Sequence, residues 1–120
     1  MDSTDAIAVL GALAQPTRLE AFRLLVRHEP EGLPAGEAAR TLGVPQNTLS
    51  AHLTILAQAG LVRPQREGRQ VIYRAALDRL RDLTVFLLRD CCGGRRELAE
   101  PLITELSALT CGTPSSTACR

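Results

Sequence analysis

Residues 33–62 constrain the fold more than any other stretch, because two helical segments lie there with only a glycine-centred turn between them. The first runs from about Pro34 to Leu42 and stops at Gly43; the second starts after Val44 and Pro45, runs to Ala59 and stops at Gly60. Glycine accepts the left-handed backbone that closes a helix C-terminus. Two short helices joined by such a turn are the signature of a helix-turn-helix unit, whose second helix enters the major groove of DNA. In that second helix Leu49, Leu53, Ile55 and Leu56 form the apolar set, and Gln46, Asn47, Thr48, Ser50, Ala51 and His52 form an early polar face. Amides and hydroxyls at a helix start are the groups that read base edges. A plain helical hairpin with a solvated face shows the same pattern up to this point, so the next segment matters.

Residues 61–74 read as strand, turn, strand. Val71, Ile72 and Tyr73 favour a strand, and Glu67-Gly68-Arg69 makes a hairpin tip flanked by Arg66. A hairpin directly after a recognition helix is the wing of a winged helix-turn-helix, and arginines at its tip reach phosphate or the minor groove. The charge distribution agrees. The net charge is only +1, but residues 35–74 hold five arginines against Glu37 and Glu67, while residues 1–34 are net negative and 75–120 balanced. Every basic side chain is Arg, which suits forked contacts to phosphate and guanine and is also what a GC-rich genome yields.

Helices flank this unit. Ile7, Leu10 and Leu13, with Ala6 and Val9 beside them, predict a first amphipathic helix over residues 4–14, capped by Asp5. Pro16 opens a second, Thr17 to His28, with Leu19, Phe22, Leu24, Leu25 and Val26 as its apolar set. A long helix follows the wing from about Ala76 to Cys91, ended by Gly93-Gly94, and a shorter one spans about Glu97 to Thr110. The expected fold is therefore mainly α with a small β-hairpin. Residues 1–94 form the DNA-binding and dimerisation domain, and 95–120 a C-terminal extension ending in a flexible, cysteine-containing tail. With 45% hydrophobic and 22% charged residues, the chain has the makings of an ordinary core. No apolar run approaches bilayer length and the N-terminus is polar, so a cytoplasmic protein without membrane contact is expected.

The sequence resembles the arsenic-repressor (ArsR) family of bacterial metal- and metalloid-responsive repressors. The likeness is carried by ALAQPTRLEAFRLLV (12–26), by LGVPQNTLSAHLTILAQAGLVRPQREGRQVIYR (42–74) and by the helix that follows. The resemblance implies a homodimeric winged-helix repressor of double-stranded operator DNA that needs no cofactor to bind and is released by an inducer. The polar helix face and the hairpin tip put Gln46, Asn47, Thr48, Ser50, His52, Arg66 and Arg69 toward that DNA. The resemblance also implies that Ile7, Leu10, Leu80, Leu83 and Leu87, on the first and long fifth helices, meet across the two-fold. The family's familiar arsenic site is a cysteine pair in the helix before the recognition helix, where residues 33–39 have no Cys. Its interface zinc site needs His on the long helix, whereas the only histidines here are His28 and His52. Cys91-Cys92-Gly93-Gly94 looks like the motif of a branch that senses trivalent arsenic with a vicinal pair and a third cysteine.

Trivalent arsenic and antimony are soft centres that favour three thiolates. Cys91 and Cys92 supply two at little loop-closure cost; the third must come from Cys111, Cys119 or a partner subunit, since residues 95–101 contain none. A methylated arsenical needs only two. The alternative is a thiol-based redox or persulfide sensor of the same fold, with thiolates activated by Arg89, Arg95 and Arg96. Zinc or cadmium ranks lower, as no pair has C-x₂₋₄-C spacing. An enzyme is disfavoured: there is no nucleophile–base spacing, phosphate loop or carboxylate pair, and Cys91-Cys92-Gly93-Gly94-Arg95 only faintly echoes an arsenate reductase loop. A winged helix that binds protein rather than DNA fits poorly with the positive middle segment.

Overall fold

The computed structural model describes residues 1–89 and 95–111, the side chains of residues 96, 99 and 109–111 excepted. The elements are α1 (Ser3–Leu13), α2 (Pro16–Arg27), β1 (Leu33–Pro34), α3 (Ala35–Leu42), α4 (Gln46–Gln58), β2 (Val62–Glu67), β3 (Gln70–Ala75), α5 (Leu77–Arg89) and α6 (Arg96–Cys111). They divide into two compact units, Met1–Leu83 and Thr84–Arg120.

Local chemistry sets most boundaries in the first unit. The cap of α1 is Asp2, not the expected Asp5: the Asp2 carboxylate accepts from the Asp5 amide at 2.8 Å, so the helix starts a turn earlier. Pro16 occupies the first turn of α2, where its missing N–H costs nothing. The carboxamide of Gln15 accepts from the Arg18 amide at 2.8 Å. Gly43 closes α3 at φ 70°, and the amides of Gly43 and Val44 return to the carbonyls of Arg40 and Ala39.

The sheet is antiparallel in the order β1-β3-β2. The β2–β3 register runs from Val62 opposite Ala75 to Glu67 opposite Gln70, which leaves Gly68 and Arg69 as a two-residue turn. Gly68 supplies the positive φ, 62°, that such a turn needs. Strand β1 was not expected. Two residues, one of them proline, carry no strand signature, and Leu33 and Pro34 become a strand only because Tyr73 and Ile72 lie beside them.

The core is aliphatic. Leu49, Leu53 and Leu56 bury one stripe of α4, which packs on α1, α2 and β2; the other buried side chains include Val9 of α1, Phe22, Leu24 and Leu25 of α2, Leu61, Val62 of β2 and Ile72 of β3. Two residues assigned to apolar faces lie outside. Ile55 is 39% exposed and Leu19 similarly so, because each is well off its helix's buried stripe. In α1 the buried positions are the small ones, Ala6, Val9 and Ala12, while Ile7 and Leu10 face outward. No buried side-chain nitrogen or oxygen lacks a partner among the described residues.

In the second unit α6 carries Pro101 in its interior, which removes one helix amide donor, and exposes Leu98, Leu102, Ile103 and Leu106. Among the described residues no helix is long and apolar enough to cross a membrane.

Candidate nucleic-acid interface

Helix α4 begins after Pro45, which offers no side-chain cap. Its first turns present Gln46, Asn47 and Thr48 to solvent, with Ser50 half-buried behind them. Asn47 folds back to accept from the Thr48 amide at 3.0 Å, whereas Gln46 reaches toward α3. His52 sits deeper and is partly engaged: its Nδ1 lies 3.4 Å from Arg18 Nη1. An arginine N–H only donates, so the imidazole nitrogen can take part in this long contact only as an acceptor. Arg18 also donates through Nε to the Ala12 carbonyl at 2.7 Å, tying the end of α1 to α2 and α4. Of the residues expected to face DNA, Asn47 and His52 thus already make protein contacts, Asn47 within its own turn and His52 with Arg18 of α2.

The five arginines of the basic segment separate into two kinds. Arg74 donates from Nε and Nη2 to the two carboxylate oxygens of Glu29 at 3.2 and 2.8 Å, joining β3 to the turn after α2. That hydrogen-bonded pairing holds the Glu29 carboxyl below its ordinary range and raises Arg74. Arg63 donates to Asp78 at 2.7 Å and fixes the wing base to the start of α5; the same bond lowers the Asp78 carboxyl. The guanidinium groups of Arg40, Arg66 and Arg69, by contrast, have no hydrogen bond or ion pair to any described residue. Arg66 and Arg69 are exposed at the wing, and Arg40 is exposed near the end of α3. Sequence reasoning named the two wing arginines and missed Arg40. The charge count includes it, but nothing in the sequence separates an arginine held by a carboxylate from a free one.

Between the starts of α3 and α4 and the wing lies an open groove of about 440 Å³, with Arg40, Gln46, Ser50 and Arg69 on its walls. Gln46 and Ser50 from the start of α4 and the unpaired Arg69 from the wing share this groove, an arrangement able to meet a duplex through a helix and a hairpin together.

The remaining expected residues fall elsewhere. Ile7 is 69% exposed, Leu10 and Leu87 are exposed and Leu80 is half-buried. Leu83, expected at a dimer interface, is 4% exposed and packed within its own chain, so little of its surface is left for a partner. Cys91, Cys92 and Cys119 lie outside the described residues, as does the expected flexible tail; Cys111 closes α6, its side chain also outside them. Among the described residues no three His, Cys, Asp or Glu side chains gather to hold a metal ion.

Residues 13–65 match the model of a helix-turn-helix domain. The biofilm growth-associated repressor of Agrobacterium fabrum is 33% identical over 96 residues, which cover 80% of each chain. The fold matches an ArsR-like transcriptional regulator from Rhodococcus sp. RHA1 at a TM-score of 0.65 and 25% identity, over 94% of this chain and 96% of that one. The chain belongs to the ArsR/SmtB family of winged helix-turn-helix transcriptional repressors. Relatives within the ArsR/SmtB family are named for different systems. A probable mercury resistance operon repressor of Streptomyces lividans is 33% identical over 91 residues, 68% of this chain and 70% of its own. A winged helix-turn-helix domain from Mycobacterium bovis, described as homodimeric, matches at a TM-score of 0.60 and 30% identity, over 71% of this chain and 77% of that one. In this ArsR/SmtB-family chain α4 is the recognition helix and β2–β3 the wing of a DNA-binding domain, not part of an enzyme.

Proposed function

We propose that this ArsR/SmtB-family repressor binds operator DNA in the cytoplasm as a homodimer and releases it when its cysteine thiolates take up trivalent arsenic or antimony. The observation that carries the choice of inducer is the placement of the thiols. All four cysteines lie after residue 90, two of them adjacent, with none in α3 and no His in α5. The donor set is soft and short of nitrogen, which suits a thiophilic centre better than zinc. Cys91 and Cys92 would supply two sulfurs, and Cys111 or Cys119 the third.

Several features support the DNA half of the reading. Gln46, Asn47, Thr48 and Ser50 form the polar start of the recognition helix, Arg66 and Arg69 are unpaired on the wing, and His52 adds a polar edge beside them. Exposed Ile7, Leu10 and Leu87 offer apolar surface to a second copy. The cysteine pair follows α5 and is distant in sequence from α4. Inducer binding therefore acts by favouring the DNA-free form of the dimer, and a tenfold loss of operator affinity requires about 1.4 kcal/mol of such coupling.

The test is release from the protein's own upstream DNA, measured by fluorescence anisotropy with arsenite, antimonite, methylarsenite, zinc, cadmium and peroxide. Arsenite and antimonite should release wild type, and Cys91→Ser/Cys92→Ser should bind DNA and ignore every arsenical. Cys111→Ser or Cys119→Ser should keep the response to methylarsenite, and the one that supplies the third sulfur should lose the response to arsenite. Release by peroxide alone would replace this reading with the redox one. The pairing of Arg95 with Glu97 at 2.8 Å weighs against that outcome, because it leaves Arg95 less able to stabilise a thiolate.

A further inference from the structure

We propose that the groove between α3, α4 and the wing is a seat for a single phosphate of the DNA backbone, held by Arg40 from the α3 side and Arg69 from the wing side. The inference rests on the DNA-binding reading above and adds to it a specific contact and a residue, Arg40, outside the recognition helix and the wing. Three observations lead to it.

The first is the state of the two arginines. Most arginines in the first unit are occupied: Arg63 by Asp78, Arg74 by Glu29, Arg23 by Glu20 and Arg18 by the Ala12 carbonyl. Arg40 and Arg69 line one groove, lie 29 positions apart in the chain, and have guanidinium groups bonded to no described residue. Glu37 is the one carboxylate on the groove wall, and it pairs with neither. Two free guanidinium groups facing one cleft are a repulsive arrangement until an anion enters, and a phosphate oxygen accepts from such forks in the geometry they prefer.

The second is Gly36. A Cβ there would lie 3.3 Å from Gln46 Oε1 and 3.7 Å from Arg40 Nη1. The head of Arg40 and the carboxamide of Gln46 thus both lie over the first turn of α3, and a side chain there would crowd the carboxamide while only touching the guanidinium. Glycine is a poorer helix former than alanine, and here its missing side chain leaves the groove floor open.

The third is the rest of the lining. Gln46, Ser50 and Gln70 add neutral donors, and neither α3 nor α4 has a side-chain cap on the end that opens there, so both helix dipoles add the same sign of potential. Because Gln46 belongs both to this groove and to the base-reading face, a phosphate seated here fixes the register of α4 along the duplex.

The experiment uses the full-length chain and a duplex it selects from a random pool, with affinity measured from low to moderate salt. Arg40→Ala and Arg69→Ala should each weaken binding about tenfold on selected and scrambled duplexes alike. Each should reduce the slope of log affinity against log salt by about one unit per protomer. Arg63→Ala, which removes an arginine already held by Asp78, should leave the slope unchanged. Methylphosphonates are then walked along the duplex one position at a time. One position per half-site should weaken wild type but have no further effect on Arg40→Ala, the non-additivity expected of a direct contact. Gly36→Ala should hold or raise thermal stability while weakening DNA binding. If wild type binds DNA but Arg40→Ala keeps the wild-type slope, or no methylphosphonate position is silent in it, the seat is refuted and the repressor reading stands. If wild type binds no duplex, both fall.

Discussion

Replacing Ile7 with serine tests the dimer. Ile7 is 69% exposed on α1 in the single chain, next to Leu10 on the same outward face. Fully burying an isoleucine contributes about 1.5–3 kcal/mol, and the share a partner can still cover is worth roughly 1–2 kcal/mol. A two-fold interface presents Ile7 twice, so the substitution should weaken dimerisation by about 2–4 kcal/mol, or roughly 30- to 700-fold in Kd. Sedimentation velocity over a concentration series reads this directly, and thermal unfolding of the monomer should change little because most of the Ile7 side chain is exposed in the single chain. Leu83→Ser is the contrasting variant. Leu83 is 4% exposed in its own chain, so its loss should cost stability of the protomer whatever the state of association. If Ile7→Ser dimerises within about threefold of wild type, α1 does not form the interface and the outward apolar face needs another explanation.

Other expectations concern the base-reading helix, one turn and one ion pair. Gln46→Ala or Ser50→Ala should cost about 1–3 kcal/mol at particular base pairs and little on scrambled DNA, read by binding to single-substitution operators. Gly32→Ala should lower stability by about 1–2 kcal/mol for its left-handed backbone at φ 75°, plus about 1–3 kcal/mol for crowding. A Cβ there would sit 2.6 Å from the Tyr73 carbonyl oxygen, and chemical denaturation checks the sum. Glu29, hydrogen-bonded to Arg74, has its carboxyl lowered in the folded state, so its contribution is complete above the ordinary Glu range and is lost as pH falls through the lowered value. Glu29→Gln should therefore flatten the acid limb of the stability–pH curve below about pH 4.3 and leave its shape near neutrality unchanged.

Much of this protein is legible without a fold. The helix-turn-helix follows from Gly43, Gly60 and the Leu49-Leu53-Leu56 spacing, the wing from Gly68 between two strand-forming runs, and the family likeness from 12–26 and 42–74. These signals are local. Turn chemistry and periodicity act between residues a few positions apart, so neighbours in sequence suffice to read them. What the sequence left undecided depends on partners far along the chain. Strand β1 exists because β3 lies beside it, Leu83 is interior, and Ile55 and Leu19 are not. The five arginines of the basic segment look alike in sequence. Only folding brings Glu29 to Arg74, 45 positions away, and Asp78 to Arg63, leaving Arg40, Arg66 and Arg69 with charge to offer a phosphate. An ion pair forms or fails over a few ångströms, and that separation is fixed by tertiary packing.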